Sequence, residues 1–121
     1  MEQRIRFVEY KAKQILLEDL SGIQDDDELI GLVKQAQQVV QSQPPKSVLV
    51  VVDLTNSRLS PKVYQFSKTA TEENSPYVKA STIVGISGLM DILAKAVSAF
   101  AQRELTSFGT REEAMDYLVA Q

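Results

Sequence analysis

The chain has 121 residues, 44% of them hydrophobic and 24% charged, with a formal net charge of −3 and neither His nor Cys. That profile suits one soluble domain able to bury a core without a metal or a disulfide. The two missing residue types exclude Ser-His-Asp and Cys-His catalysis, thiol redox chemistry and the usual zinc, haem and iron–sulfur ligand sets.

In the first stretch Ile5, Phe7 and Tyr10 alternate with Arg4, Arg6 and Glu9, which predicts a strand with one wet face. The same segment lacks the apolar core of a signal peptide, and the longest aliphatic run, residues 48–52, is too short to cross a bilayer. A cytoplasmic protein without a membrane span is expected. Residues 11–13 turn the chain and QILLEDL follows as a second strand, so close behind that the pair should form an antiparallel hairpin. No Asn-Gly or Asp-Gly marks the turn.

Asp25 followed by Glu28 fits a capping box, and Asp26 and Asp27 add negative charge where a helix N-terminus is positive. Leu29, Val33, Ala36 and Val40 recur at helical spacing until Pro44 and Pro45 forbid continuation. SVLVVVD shows no polar alternation, so both its faces should be covered, as in the centre of a parallel sheet. Ser60 before Pro61 starts a second helix with Val63, Phe66 and Ala70 inside, ended by Asn74, Ser75 and Pro76.

Residues 77–86 contain Thr82, Ile83 and Val84 and predict a strand closed by Ser87 and Gly88. A third helix is expected over residues 89–102, apolar or Ala-rich except for a stripe of Asp91, Lys95, Ser98 and Gln102. LTSF is a short last strand, and Thr110 with Glu113 caps a terminal helix carrying Met115, Leu118 and Val119. The order β-β-α-β-α-β-α-β-α implies an α/β domain with a mostly parallel sheet and an N-terminal antiparallel hairpin strand at or near an edge.

That order, together with SVLVVVDLTNSRLS entering a Pro-started helix, resembles the STAS fold of anti-sigma-factor antagonists of the SpoIIAA type, and most resembles the small proteins called SpoIIAA-like or STAS/SEC14-like. The resemblance spans almost the whole chain as an arrangement of elements. Asp53, Leu54 and Thr55 match the antagonists' Asp-Leu-Ser-like stretch; further on, Arg58 stands at their Asp, Leu59 and Ser60 at their serine pair and Pro61 at their Gly. The resemblance implies a single-domain STAS fold, a non-enzymatic regulatory or protein-interaction role, and Ser60 as the positional equivalent of the serine that a partner kinase phosphorylates.

Ligands of open α/β sheets bind outside the carboxyl ends of the strands. Thr55, Asn56, Ser57, Arg58, Ser60, Ser87 and Gly88 fall at that edge, where two helix starts would aim free amides at an anion or a phosphorylated partner. Turn formation and helix capping explain the same residues. In the third helix Met90, Ile92, Leu93, Ala96, Val97 and Phe100 form a wide apolar face, either buried within the fold, or a homodimer face, or one wall of a pocket for an apolar ligand or lipid. The run from Asp25 to Glu28 lacks the alternating spacing of a calcium loop, and the adjacent pairs Glu72/Glu73 and Glu112/Glu113 point about 100° apart, so neither converges on a substrate. No cofactor, metal or nucleic-acid partner is expected.

Overall fold

A computed structural model describes residues 3–86 and 105–121. In chain order the elements are β1 (Ile5–Tyr10), β2 (Lys13–Asp19), α1 (Asp26–Gln41), β3 (Val48–Asp53), α2 (Pro61–Asn74), β4 (Val78–Val84), β5 (Leu105–Phe108) and α3 (Arg111–Val119). The helix expected over residues 89–102 lies outside the described residues.

The strands form one sheet in the order β1-β2-β3-β4-β5, with β1 antiparallel to β2 and each later pair parallel. β3 is therefore the central strand, which accounts for its unbroken apolar sequence. Val48 and Val50 face one side, Leu49 and Val51 the other, and all four are buried. The β2-α1-β3 and β3-α2-β4 crossovers both step one strand in the same direction, so crossovers of one hand lay α1 and α2 on the same face. Leu29, Val33, Ala36 and Val40 of α1 and Val63 and Ala70 of α2 pack there on Leu16, Val48 and Val50. Ala114 and Leu118 of α3 cover the opposite face against Ile15, Leu17, Leu49 and Val51. Burial of side chains as complete as Leu29 and Leu118 is worth about 1.5–3 kcal/mol each.

Capping follows the expected residues. Asp25 accepts from the Glu28 amide, Ser60 from Val63 and Thr110 from Glu113. The register of β3 with β4 shifts between Val48 and Leu49, leaving Lys79 as the extra residue. Val78 accordingly faces the α1/α2 core while Ala80 faces α3.

Two expectations are corrected. Ile5, Phe7 and Tyr10 do not share an inner face: Ile5 is buried beneath α1, Phe7 is 39% exposed, and Tyr10 joins Val8 on the α3 side. Period two separates residue 10 from residues 5 and 7, and none of the described helices covers the rim of this edge strand at Phe7. The strand expected over residues 77–86 is Val78–Val84, because Gly85 at φ +82° turns the chain.

The hairpin turn places Lys11 at φ +48° and Ala12 at φ +67°, both central residues in the left-handed region without a glycine. Contacts to α3 hold it. Tyr10 Oη and Lys11 Nζ each donate to Asp116 Oδ1 at 2.7 Å. Lys13 Nζ reaches the Val119 carbonyl at 2.9 Å, where the C-terminal end of α3 is negative. Among the described residues no helix is long and apolar enough to cross a membrane.

Candidate functional site

β2 and β3 end in the same pattern, Asp19-Leu20-Ser21 and Asp53-Leu54-Thr55, and the register sets Asp19 directly beside Asp53. Leu20 and Leu54 turn into the α1/α2 core, which by strand alternation sends both aspartates to the α3 face. Each carboxylate then bends onto the residue two further on. Asp19 Oδ1 accepts from Ser21 N at 3.2 Å and Ser21 Oγ at 2.6 Å; Asp53 Oδ1 accepts from Thr55 N at 2.9 Å and Thr55 Oγ1 at 2.6 Å. The parallel ladder runs on past the strand ends through Leu20 N to Asp53 O, Leu54 N to Val84 O and Gly85 N to Phe108 O.

Arg111, the first residue of α3, spans the two acids. Its Nε donates to Asp53 Oδ2 at 2.6 Å and its Nη2 lies 3.0 Å from Asp19 Oδ1. Arg4 approaches Asp19 from the other side, with Nη1 donating to the carbonyls of Asp19 and Ser21 at 3.0 Å and lying 3.7 Å from Asp19 Oδ1. Burial pushes the Asp19 carboxyl up, but the Ser21 hydroxyl and amide together with Arg111 outweigh it and hold the group below its ordinary value. Burial likewise disfavours the charged Arg111, and the Asp53 and Asp19 carboxylates outweigh that, raising its pKa. An Asp19 held ionised between two guanidinium groups is a poor proton acceptor.

The loop after β3 is laced to the β2–α1 turn. Ser57 Oγ donates to the Leu20 carbonyl and accepts from Ile23 N, Arg58 N donates to Ile23 O at 3.0 Å, and Gly22 N donates to Thr55 O at 2.8 Å. Asn56 sits at φ +59°, and its carbonyl accepts from Gln24 Nε2 at 2.7 Å. Asn56 and Arg58 are exposed, Thr55 and Ser57 half-buried, and Ser60 is buried. Arg58 has no carboxylate partner among the described residues. At the start of α2, Pro61 carries no N–H, Val63 N is taken by Ser60 Oγ and Tyr64 N by Ser60 O. Lys62 pairs with Asp27 at 3.1 Å.

The structure thus brings Thr55, Asn56, Ser57, Arg58 and Ser60 to one edge. Ser87, Gly88, Met90, Ile92, Leu93, Ala96, Val97 and Phe100 lie outside the described residues. Asp19, Ser21, Arg4 and Arg111 were missed by the sequence reading; the repeated Asp-Leu-Ser/Thr at two strand ends is the signal that could have found the first two. Among the described residues no group of three or more acidic side chains could hold a metal ion.

The architecture is similar to that of an uncharacterized protein from the DUF3478 family of Shewanella loihica PV-4, described as having a SpoIIAA-like fold, with a TM-score of 0.64 at 16% sequence identity over 94% of this chain and 91% of that one. This chain has a SpoIIAA-like fold. No family model matches the sequence, and no curated protein matches it. In the SpoIIAA-like frame the loop after central β3 lies at the carboxyl edge of the parallel strands, and here that edge is organised by Asp19, Asp53 and Arg111.

Proposed function

We propose that this chain is a non-enzymatic regulatory or protein-interaction module that meets its partner protein through the loop of residues 55–60. The observation that carries the reading is the bracing of that loop. Ser57 ties it to Leu20 and Ile23 from within, while Asn56 and Arg58 stand exposed at its tip. A loop held on a rigid scaffold with a charged tip is suited to recognition, because little ordering entropy is lost on contact. The absence of catalysis is supported by the state of the acids: Asp19 and Asp53 are spent on Arg111 and on their own turns.

The SpoIIAA resemblance adds a finer expectation, phosphate on Ser60. Its hydroxyl is buried and caps α2, so a kinase would reach it only after the first helical turn opens. The proposed contact edge works without that step.

A photo-crosslinking residue at position 56, introduced in the protein's own host, tests the reading, with one at exposed Gln65 on α2 as control. Adducts to one protein species at position 56, absent at position 65 and lost with Arg58→Glu, are expected. Equal labelling at both positions, or none at position 56, overturns the proposal. Phosphopeptide mapping over residues 54–62 decides the switch separately.

A further inference from the structure

We propose that β1 pairs antiparallel with β1 of a second copy of this chain, with Phe7 at the two-fold axis, joining the two sheets edge to edge. The backbone sets the register. Asp19 N donates to Arg4 O at 2.8 Å, and Arg4 lies opposite Asp19 in the register that pairs Ile5 with Glu18. Hydrogen-bonded and non-hydrogen-bonded positions alternate along an antiparallel pair, so Arg4, Arg6, Val8 and Tyr10 spend their backbone groups on β2. Ile5, Phe7 and Glu9 direct theirs away from the sheet, where no described strand lies. β1 contains no proline and its register with β2 is unbroken, so two of the usual devices that blunt an edge are missing.

These outward groups are self-complementary about Phe7. Setting Phe7 against its own copy puts Ile5 against Glu9 and pairs all three outward residues at hydrogen-bonded positions. Directly opposite residues share a face, and the register preserves this, placing Arg6 against Val8 and Arg4 against Tyr10 on the α3 side. Phe7, the large hydrophobic side chain left exposed among the described residues, then meets its equivalent on the other face.

Charge favours the same arrangement. Arg4 and Arg6 lie at one end of β1 and Glu9 at the other, while Asp116 beside Tyr10 is matched by Lys11 and Asp19 beside Arg4 is matched by Arg111. Antiparallel pairing sets the arginines of each copy toward Glu9 of the other; parallel pairing in register would set like against like. One strand edge with one aromatic is a smaller footprint than the roughly 800 Å² per partner of a standard interface, so the dimer should dissociate on dilution.

Light scattering and sedimentation over a concentration series test the proposal. The wild type should rise toward twice the 13.5 kDa monomer mass, and Phe7→Pro should stay at the monomer mass. Proline at position 7 removes an N–H that β2 does not use, so β1 should remain paired inside the subunit. Should that variant fail to fold, amide exchange of the wild type decides. The Ile5, Phe7 and Glu9 amides should gain protection with rising concentration, while those of Arg6 and Val8 are protected throughout. A monomer at every concentration overturns the proposal and leaves the edge to a strand from another protein; a dimer indifferent to Phe7→Pro, or unchanged protection of those three amides, overturns it equally.

Discussion

Arg111 Nε donates to Asp53 Oδ2 at 2.6 Å across 58 residues of chain, joining the end of the central strand to the first turn of the last helix. Asp53 is buried, so its charge is tolerable only with this partner and the two Thr55 donors. Arg111→Ala should cost about 1–3 kcal/mol in urea unfolding, because it leaves the buried Asp53 carboxylate with one charged donor fewer. Arg111→Lys should recover only part of it, since one ammonium cannot bridge both carboxylates. A double-mutant cycle with Asp53→Asn checks the coupling, and strictly additive losses would rule out the bridge.

Asp19 makes acid stability a second test. Its carboxyl is held below the ordinary value in the folded state, so it contributes stability that is fully present above the unfolded value of about 4 and is lost as pH falls through the lower, folded value. Asp19→Asn should therefore flatten the fall in stability below about pH 4, at the cost of some stability at neutral pH. Urea midpoints at a series of pH values decide it, and identical acid limbs in the two proteins would contradict the placement of Arg111 and Ser21.

Gly85 is required by contact as well as by backbone angle. A Cβ there would overlap Thr55 Oγ1 and lie 2.7 Å from Thr55 Cα, at φ +82°. Gly85→Ala should lower stability by about 3 kcal/mol or more. Thr55→Gly in the same chain should not restore it, because the backbone clash persists. A melting temperature near the wild type's would show that the β4 end and the β3 loop are not in contact.

The hairpin turn offers a stabilising change. Ala12 at φ +67° bears a left-handed conformation that glycine adopts freely, whereas Lys11 keeps its ion pair with Asp116. Ala12→Gly should raise stability by about 0.5–1 kcal/mol, the left-handed penalty less the added entropy of the unfolded glycine. Thermal unfolding that shows a loss would refute the turn assignment.

How much of this was legible beforehand follows the range of the interactions. The caps at Asp25, Ser60 and Thr110, the stop at Pro44 and Pro45, and the inner stripe of α1 rest on residues three or four apart, and local chemistry decides such features. The unbroken apolar run of β3 also announced its central place, because only a strand covered on both faces can dispense with polar residues. With that much fixed locally, the alternation of elements was enough to reach a mostly parallel sheet with an N-terminal hairpin, and with the stretch around Asp53 it carried the resemblance to the SpoIIAA-like fold.

The loop of residues 55–60 was legible as an edge from its turn formers, but what braces it was not. Ser57 bonds to Leu20 and Ile23, more than thirty residues away, and no pattern within the loop names those partners. Arg111 reads in the sequence as one more polar residue of a capped helix. Its meeting with Asp19 and Asp53 depends on α3 lying across the face opposite α1 and α2, with its first turn over the ends of β2 and β3. The exposure of Phe7 has the same origin, since alternation assigns a face to a side chain but only the packed helices decide whether that face is covered. Sequence alone determined the described elements and their order, because local sterics and hydrogen bonding select them; the charged bridge, the braced loop and the exposure of Phe7 were decided by tertiary contacts between distant segments.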